Sequence, residues 1–358
     1  MAPNNEAFTK AQGWDSKNES QVTNILEYHL LQGTISTGSV PEGPSEFFAT
    51  LLQNTSYANV TGGQNMIVNK QPGDVVIFTS GSGSRSTVLE SDIAFAGGLI
   101  QVVDTLMVPP ARLEPTSRDA YQDLTAFLAA LYATDLVTFF AETPDVTIFA
   151  PRNAAFQLVS GALSSLSKED LTAVLKYHII TGAVIPSADL KNGTNYTTAA
   201  TGTSAPAPLY ITRAGNNLYI DQVQVIQPDI LIANGVVHMV DGVMNPKDAT
   251  ATPNPALGTQ PPVFSLTGAT ATGTGAPLPF TSYLPCVTDC PAPTKSSAPN
   301  QNSSVAKSSP AGSSSAGVTT SSSKAAAAGP RCTGVSAALG IGFGVGVLGL
   351  GLGAAAIV

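Results

Sequence analysis

An α+β fold written twice in tandem is what this 358-residue sequence predicts. Three observations carry that expectation. Three blocks of sequence recur in the same order; the clearer copy has helical spacing early and strand patterns late; and large apolar residues thin out after about residue 247. The first block is Met1-Ala2-Pro3-Asn4-Asn5-Glu6-Ala7-Phe8, which aligns with Phe149-Ala150-Pro151-Arg152-Asn153-Ala154-Ala155-Phe156. Next, Leu26-Glu27-Tyr28-His29 aligns with Leu175-Lys176-Tyr177-His178, and Gly33 with Gly182. Last, Gly98 to Asp104 aligns with Gly235 to Asp241. A period this long marks whole domains and not the 20–50-residue units of a solenoid.

The second copy is the easier to read element by element. Ser117 to about Phe140 places Leu124, Phe127, Leu128 and Leu131 at helical spacing, which predicts an amphipathic helix. Val146-Thr147-Ile148-Phe149-Ala150 is a short apolar strand ended by Pro151. Ser167-Lys168-Glu169-Asp170 has the form of a capping box, and Leu171, Val174, Leu175 and His178 then share one helix face. Leu209–Thr212 and Leu218–Ile220 flank Gly215-Asn216-Asn217, a hairpin signal. Val223 to Ile232 and Val236 to Met244 supply two further strands. The domains are expected at 1–109 and 112–247. Copy one has no counterpart of the helix around Ser117–Thr143, and no signal peptide precedes Met1. The expectation is that the true start lies upstream, with a signal peptide and the first helices of module one.

From 248 to 333 the chain is Pro, Thr, Ser, Ala and Gly, too poor in apolar groups to offset its ordering entropy. It reads as a disordered, O-glycosylated stalk. Residues 334–358 form an uncharged apolar tail with no basic residue after it. That pattern favours a GPI-attachment signal over a plain transmembrane anchor. Ser321 is the expected attachment residue, Ser322 and Ala325 its alternatives, and Lys324 to Thr333 the spacer. Gly344-Val345-Gly346-Val347-Leu348-Gly349 matches a dinucleotide-binding string, but lacks the strand, helix and acidic residue that motif requires.

Composition narrows the function. Charged residues are only 11% and the net charge is −8, so no basic face exists for nucleic acid. Cys286, Cys290 and Cys332 lie outside both modules. Cys286 and Cys290 suit a small disulfide loop, whereas two thiols alone leave zinc under-coordinated. No metal site and no cofactor are expected. Six N-x-Ser/Thr sequons, at Asn18, Asn54, Asn59, Asn192, Asn195 and Asn302, suit passage through a secretory lumen. His29, His178 and His238 are the only histidines. No nucleophile elbow or triad spacing accompanies them, so no enzyme is expected. His178 reads as a packed, hydrogen-bonded histidine. Asp104 and Asp241 read as acceptors for backbone N–H groups at turns.

Thr147 to Phe156, the Tyr177-His178 pair and Asn234 to Asp241 resemble the signature blocks and central Tyr-His of the fasciclin domain. The likeness appears twice, and the stalk and tail resemble those of fungal GPI-anchored fasciclin-like proteins. That resemblance implies wedge-shaped β-sandwiches with packed helices, and adhesion to a cell-surface, matrix or cell-wall protein or polysaccharide. It points to Tyr177 and His178 (Tyr28 and His29 in copy one) as partner-binding residues. It also points to an Asp-Ile motif at Asp229-Ile230, matched by Asp92-Ile93. The expected product is a non-enzymatic adhesion protein held by its GPI lipid outside the plasma membrane, or in the cell wall. The alternative is a binding module for lipid or another apolar ligand.

Overall fold

The computed structural model describes residues 1–11, 13–200, 208–249, 251–264 and 277–285, and Met1–Pro291 cluster into one compact unit. Its organising element is a pair of apolar strands lying parallel. β7 (Val146–Pro151) and β13 (Gly235–Val240) are buried at every position, as unbroken apolar runs are when both faces of a sheet are covered. They pair over six registers, from Val146↔Gly235 to Pro151↔Val240.

Module one holds β1 (Ala2–Pro3), β2 (Ser45–Ala49), β3 (Asn65–Gln71), β4 (Val75–Thr79), β5 (Arg85–Phe95) and β6 (Gly98–Val103). Module two adds β8 (Ile179–Thr181), β9 (Asn195–Thr197), β10 (Pro208–Ala214), β11 (Asn217–Ile220) and β12 (Val223–Ile232) to β7 and β13. The sheet orders are β1-β6-β5-β4-β3-β2 and β8-β7-β13-β12-β11-β10-β9, so the same path is traced twice. Even the irregularities repeat. β5 slips register between Val88 and Ile93, and β12 slips between Val225 and Ile230. The expected hairpin forms between β10 and β11, turning at Gly215 with φ +58°.

The helices are α1 (Asn5–Lys10), α2 (Glu19–Tyr28), α3 (Leu113–Pro115), α4 (Thr125–Ala133), α5 (Val137–Glu142), α6 (Asn153–Leu158), α7 (Ser160–Ser164) and α8 (Lys168–Tyr177). Ser167 caps α8 by accepting the Asp170 N–H, and Asn18 caps α2 in a reciprocal box with Gln21. The single helix expected over 117–140 is instead broken into several short turns. Tyr121 leaves helical geometry, and Asp135 takes φ +57° to separate α4 from α5. Nor is α4 amphipathic, since every residue from Ala126 to Leu131 is buried.

The β7–β13 ladder stands between two apolar clusters. Ile148, Ala150, Val237 and Met239 face the helices, joining Phe127, Phe140, Phe156 and Leu175. Phe149 and Val240 face the other way, against Tyr177, Leu209, Ile211 and Ile220. Residues 251–264 and 277–285, read from sequence as the start of the stalk, lie against module two. Phe264 is buried, Leu278 and Phe280 pack on the helix-side cluster, and Gln222 donates to the Pro261 carbonyl at 2.9 Å. The rest of the expected stalk and the tail lie outside the described residues.

Module one repeats only the second of these clusters, around Tyr28, Leu52, Met66, Val68 and Phe78. Its entering strand β1 has two residues where β7 has six. The face that α4 and α5 cover in module two is open here: Leu26, Leu30 and Phe95 are 46%, 49% and 55% exposed, while their counterparts Leu175, Ile179 and Ile232 are fully buried.

The modules meet along a polar seam. Asn59 N–H donates to the Ala233 carbonyl at 2.7 Å, and Thr61 N–H to Asp145 Oδ1 at 2.7 Å. Gln64, fully buried, donates to the Ala233 carbonyl at 3.1 Å.

Two equivalent truncations separate the covered face from the open one. Leu175→Ala is expected to cost about 3 kcal/mol, since it leaves a buried cavity. Leu26→Ala is expected to cost less than about 0.5 kcal/mol, since its side chain is half in water. Urea denaturation of the two variants checks the difference; equal losses would refute the assignment of faces.

Candidate functional site

Both modules build the same polar clamp behind the bulge of their long strand. Asp229 takes φ +63°, a conformation that L residues adopt rarely and Asp better than most. Its carboxylate accepts from Ser187 N–H at 2.8 Å and from the Ser187 hydroxyl at 2.5 Å. Its own N–H donates to His238 Nδ1 at 3.1 Å. His238 Nε2 is 3.0 Å from the Ile185 carbonyl, which fixes the proton on Nε2. In module one Asp92, at φ +57°, accepts from Thr37 N–H and hydroxyl. Gln101 stands where module two has His238. It accepts the Asp92 N–H at 2.8 Å and donates to the Ile35 carbonyl at 3.3 Å, so an amide does both of the imidazole's jobs.

These bonds redefine the predicted Asp-Ile motif. The Asp229 carboxylate is nearly buried and spent on Ser187, and Ile230 lies in the core. Asp92 is likewise spent on Thr37, while Ile93 belongs to the open face of module one. What the clamp presents to solvent is the bulge tip next to it. Leu89 is 57% exposed and Ile226 is 40% exposed, at equivalent positions of the two modules.

The Tyr-His pairs are also corrected by burial. Tyr28, His29, Tyr177 and His178 are at most 2% exposed, so none of them can touch a partner while the modules are folded. Each histidine bridges a helix end to the strand exit. His29 Nδ1–H donates to the Ile25 carbonyl at 2.7 Å and Nε2 accepts the Met107 N–H at 3.0 Å. His178 repeats this with Val174 and Met244 at 2.7 and 3.0 Å. Burial holds both imidazoles down to about 4 and therefore neutral. Tyr28 donates to the Asn65 carbonyl, whereas Tyr177 donates to Asp221 Oδ2 at 2.9 Å. Burial pushes Asp221 up to about 6. Asp221 and the bulge tips escaped sequence reasoning, although their place in the repeat marked the tips. Asp104 and Asp241 accept the Thr87 and Gln224 N–H groups, at 2.8 and 2.9 Å.

Among the sequons, Asn18, Asn54, Asn192 and Asn195 are exposed. Asn59 is half-buried in the seam, where its side-chain amide donates to the Glu142 carbonyl at 2.8 Å. Asn302, Cys286, Cys290 and Ser321 lie outside the described residues. Among the described residues no group of three or more His, Cys, Asp or Glu could hold a metal ion, and no helix is long and apolar enough to cross a membrane. A half-open cavity of about 310 Å³ lies beside α8, lined by Leu166, Val174, Val263 and Phe264, with Lys247 and Asp170 paired at 3.0 Å on its rim.

The module one clamp predicts how its counterpart responds to mutation. His238→Gln is expected to cost under about 1 kcal/mol, because Gln101 shows that an amide satisfies both bonds. His238→Ala orphans a buried N–H and a buried carbonyl, and is expected to cost about 2–4 kcal/mol. Thermal or urea unfolding checks the order; it fails if Gln is as damaging as Ala.

The buried histidines set an acid limb on stability. Their folded pKa values lie below the unfolded value of about 6.5, so the unfolded chain takes up protons first as pH falls. Their contribution to stability is full above pH 6.5 and drains between 6.5 and 4, by roughly 3 kcal/mol per histidine. Asp221 acts oppositely, since its raised pKa makes the folded state bind a proton first. The two histidines outweigh it, and His238, likewise held down by burial, adds to the loss, so stability is expected to fall as the pH drops from 7 to 4. Denaturant midpoints that stay flat from pH 7 to 4 would refute this.

Comparison with known proteins follows the same division of the chain. The fasciclin domain family matches residues 1–109 and 122–246. A fasciclin-like arabinogalactan protein of Arthroderma benhamiae is 30% identical over 75% of this chain and 62% of its own length. Another, of Cercospora beticola, is 28% identical over 61% of this chain and 58% of its own. The chain thus spans about three-fifths of the length of these curated relatives. A FAS1 domain pair from the insect cell adhesion molecule Fasciclin I covers 70% of this chain and 89% of its own, at 16% identity and a TM-score of 0.36.

Proposed function

The chain belongs to the fasciclin family, and we propose that it is a non-enzymatic adhesion protein that displays two modules at the cell surface. One observation carries the reading. Each module holds a large apolar residue, Leu89 or Ile226, exposed at a bulge of its long strand, three residues before the aspartate that the clamp ties to Thr37 or Ser187. Exposed apolar groups on ordered backbone are what a weak, repeated contact needs, and two of them on one body act with avidity. Asp92 and Asp229 serve this contact as positioning residues. The partner is a cell-surface, matrix or cell-wall protein or polysaccharide. The names of the fungal relatives accord with it.

On this reading the modules stand on a glycosylated stalk, attached through Ser321 to a GPI lipid on the outer face of the plasma membrane or passed on to the wall. Cys286 and Cys290 close a small disulfide loop in that stalk. Asn18, Asn54, Asn192 and Asn195 carry sugar on open surface, and Asn302 does so on the stalk. Asn59 is the poor acceptor, its amide and its Thr61 hydroxyl both being engaged across the seam. The cavity beside α8 favours a second reading, in which module two holds a small apolar ligand, though its volume sits at the lower end for such sites.

The test uses the full chain on cells. Treatment with a phosphatidylinositol-specific phospholipase is expected to release it. The Leu89→Ser/Ile226→Ser double variant is expected to keep its melting temperature within about 2 °C, since both residues are already exposed. It should lose at least about ten-fold in cell or bead aggregation. Undiminished aggregation by the double variant would overturn the bulge-tip site, and stoichiometric lipid in the purified protein would favour the second reading.

A further inference from the structure

Both modules close on the same aspartate, yet the two copies satisfy it differently. Thr87 N–H donates to Asp104 Oδ1 at 2.8 Å, and Gln224 N–H to Asp241 Oδ1 at 2.9 Å, so the two carboxylates hold equivalent places. In module one two hydroxyls complete the set, Ser86 at 3.1 Å and Thr105 at 3.0 Å. Module two has Val223 and Gly242 at those positions. Among the described residues, the Asp241 carboxylate is left with the Gln224 amide alone. The exchange is matched: the Val223 methyl carbons stand 3.0 and 3.2 Å from where a Cβ on Gly242 would lie, so the valine and the glycine fit as a pair. A carboxylate drawn out of water and short of donors is costly unless something else supplies them.

The missing hydroxyls leave a cavity. About 170 Å³ lies open beside Asp241, lined by Arg152, Leu158, Val223, Gly242 and Pro262. Arg152 stands where module one has Asn4, whose side chain caps α1 by accepting the Ala7 N–H at 2.8 Å. The Arg152 Nε is buried with no acceptor, and the rest of the guanidinium makes no hydrogen bond or close ion pair with any described residue. Burial raises the Asp241 pKa and the charge of Arg152 lowers it, so the two groups sense each other across the cavity without bonding. Arginine and aspartate thus face one small space with most of their bonding capacity unused.

These groups decide what fits. A lone anion is repelled by Asp241, a lone cation by Arg152, and an apolar ligand satisfies neither. A neutral molecule with adjacent hydroxyls does both jobs, donating to the carboxylate and accepting from the guanidinium. Module one already shows hydroxyls as the donors this carboxylate takes. The remaining wall of Leu158, Val223, Pro261 and Pro262 is apolar and suits the C–H face of a sugar ring. Gln222 steadies that wall by donating to the Pro261 carbonyl at 2.9 Å. The volume is below the range of about 300–1,000 Å³ usual for drug-sized ligands, which confines the occupant to a single ring. We propose that this cavity of module two binds one saccharide unit, whose neighbouring hydroxyls bridge Asp241 and Arg152. The site uses neither Leu89 nor Ile226, so it stands or falls separately from the contact assigned to the bulge tips.

The experiment titrates the full 358-residue chain with the methyl glycosides of glucose, mannose and galactose. Saturation-transfer NMR reads the sugar, and the Arg152 Nε–H resonance reads the site. At least one glycoside is expected to receive saturation and to move that resonance, with a Kd on the order of 1 mM. Val223→Ser/Gly242→Thr rebuilds the module one arrangement and should weaken binding at least about ten-fold. Arg152→Asn installs the module one residue and should weaken it as much, which keeps the test decisive if the double variant does not fold. The amide spectrum of module two reports folding in each case, and Leu89→Ser/Ile226→Ser should bind the glycoside unchanged. The proposal is overturned if none of the three glycosides elicits a response, or if folded Arg152→Asn binds as well as the parent chain. It is also overturned if glycine, a zwitterion able to meet both charges, shifts the Arg152 resonance while the sugars do not.

Discussion

Everything in each module hangs on the parallel pairing of its entering strand with its closing strand. The pairing brings the two ends of a domain of more than a hundred residues side by side. In module two it needs a glycine at the closing strand's first position, Gly235, because the backbones come too close there for a side chain. In module two this ladder is also the wall between two apolar clusters, so it fixes which residues of β7 and β13 face the helices. The clamp, the bulge and the histidine bridges are all built outward from it.

That order explains what could be read from the residues alone. The repeat, the α+β class and the β10–β11 hairpin were legible because they depend on local spacing and turn chemistry. The helix over 117–140 was overread: its apolar residues suggested one amphipathic face, but α4 is buried all round and Asp135 breaks the run. The segment to Phe264 and the turn at Phe280 were hidden for the opposite reason. A few aromatic anchors in Pro- and Thr-rich sequence give no periodic signal, yet each can dock on a surface that exists only once the helices are packed.

The candidate site was half legible. The family resemblance found Asp229 and the repeat found its match Asp92, but not their use, because no sequence pattern tells a carboxylate that meets a partner from one that holds a turn. The same limit applied to Tyr177 and His178, whose burial depends on strands far away in the chain. The pairing of Gln101 with His238 is the instructive case. A substitution that looks like a departure in sequence keeps both hydrogen bonds in space, so what the two copies share is the bonding pattern and not the side chain.

The six-rung ladder of module two has a mechanical meaning. Its two strands run the same way, one leading into the module and the other leading out towards the C-terminus. Traction between those ends would slide the strands past each other and strain all six rungs at once, whereas an antiparallel hairpin would unzip one rung at a time. The geometry resists traction along the chain.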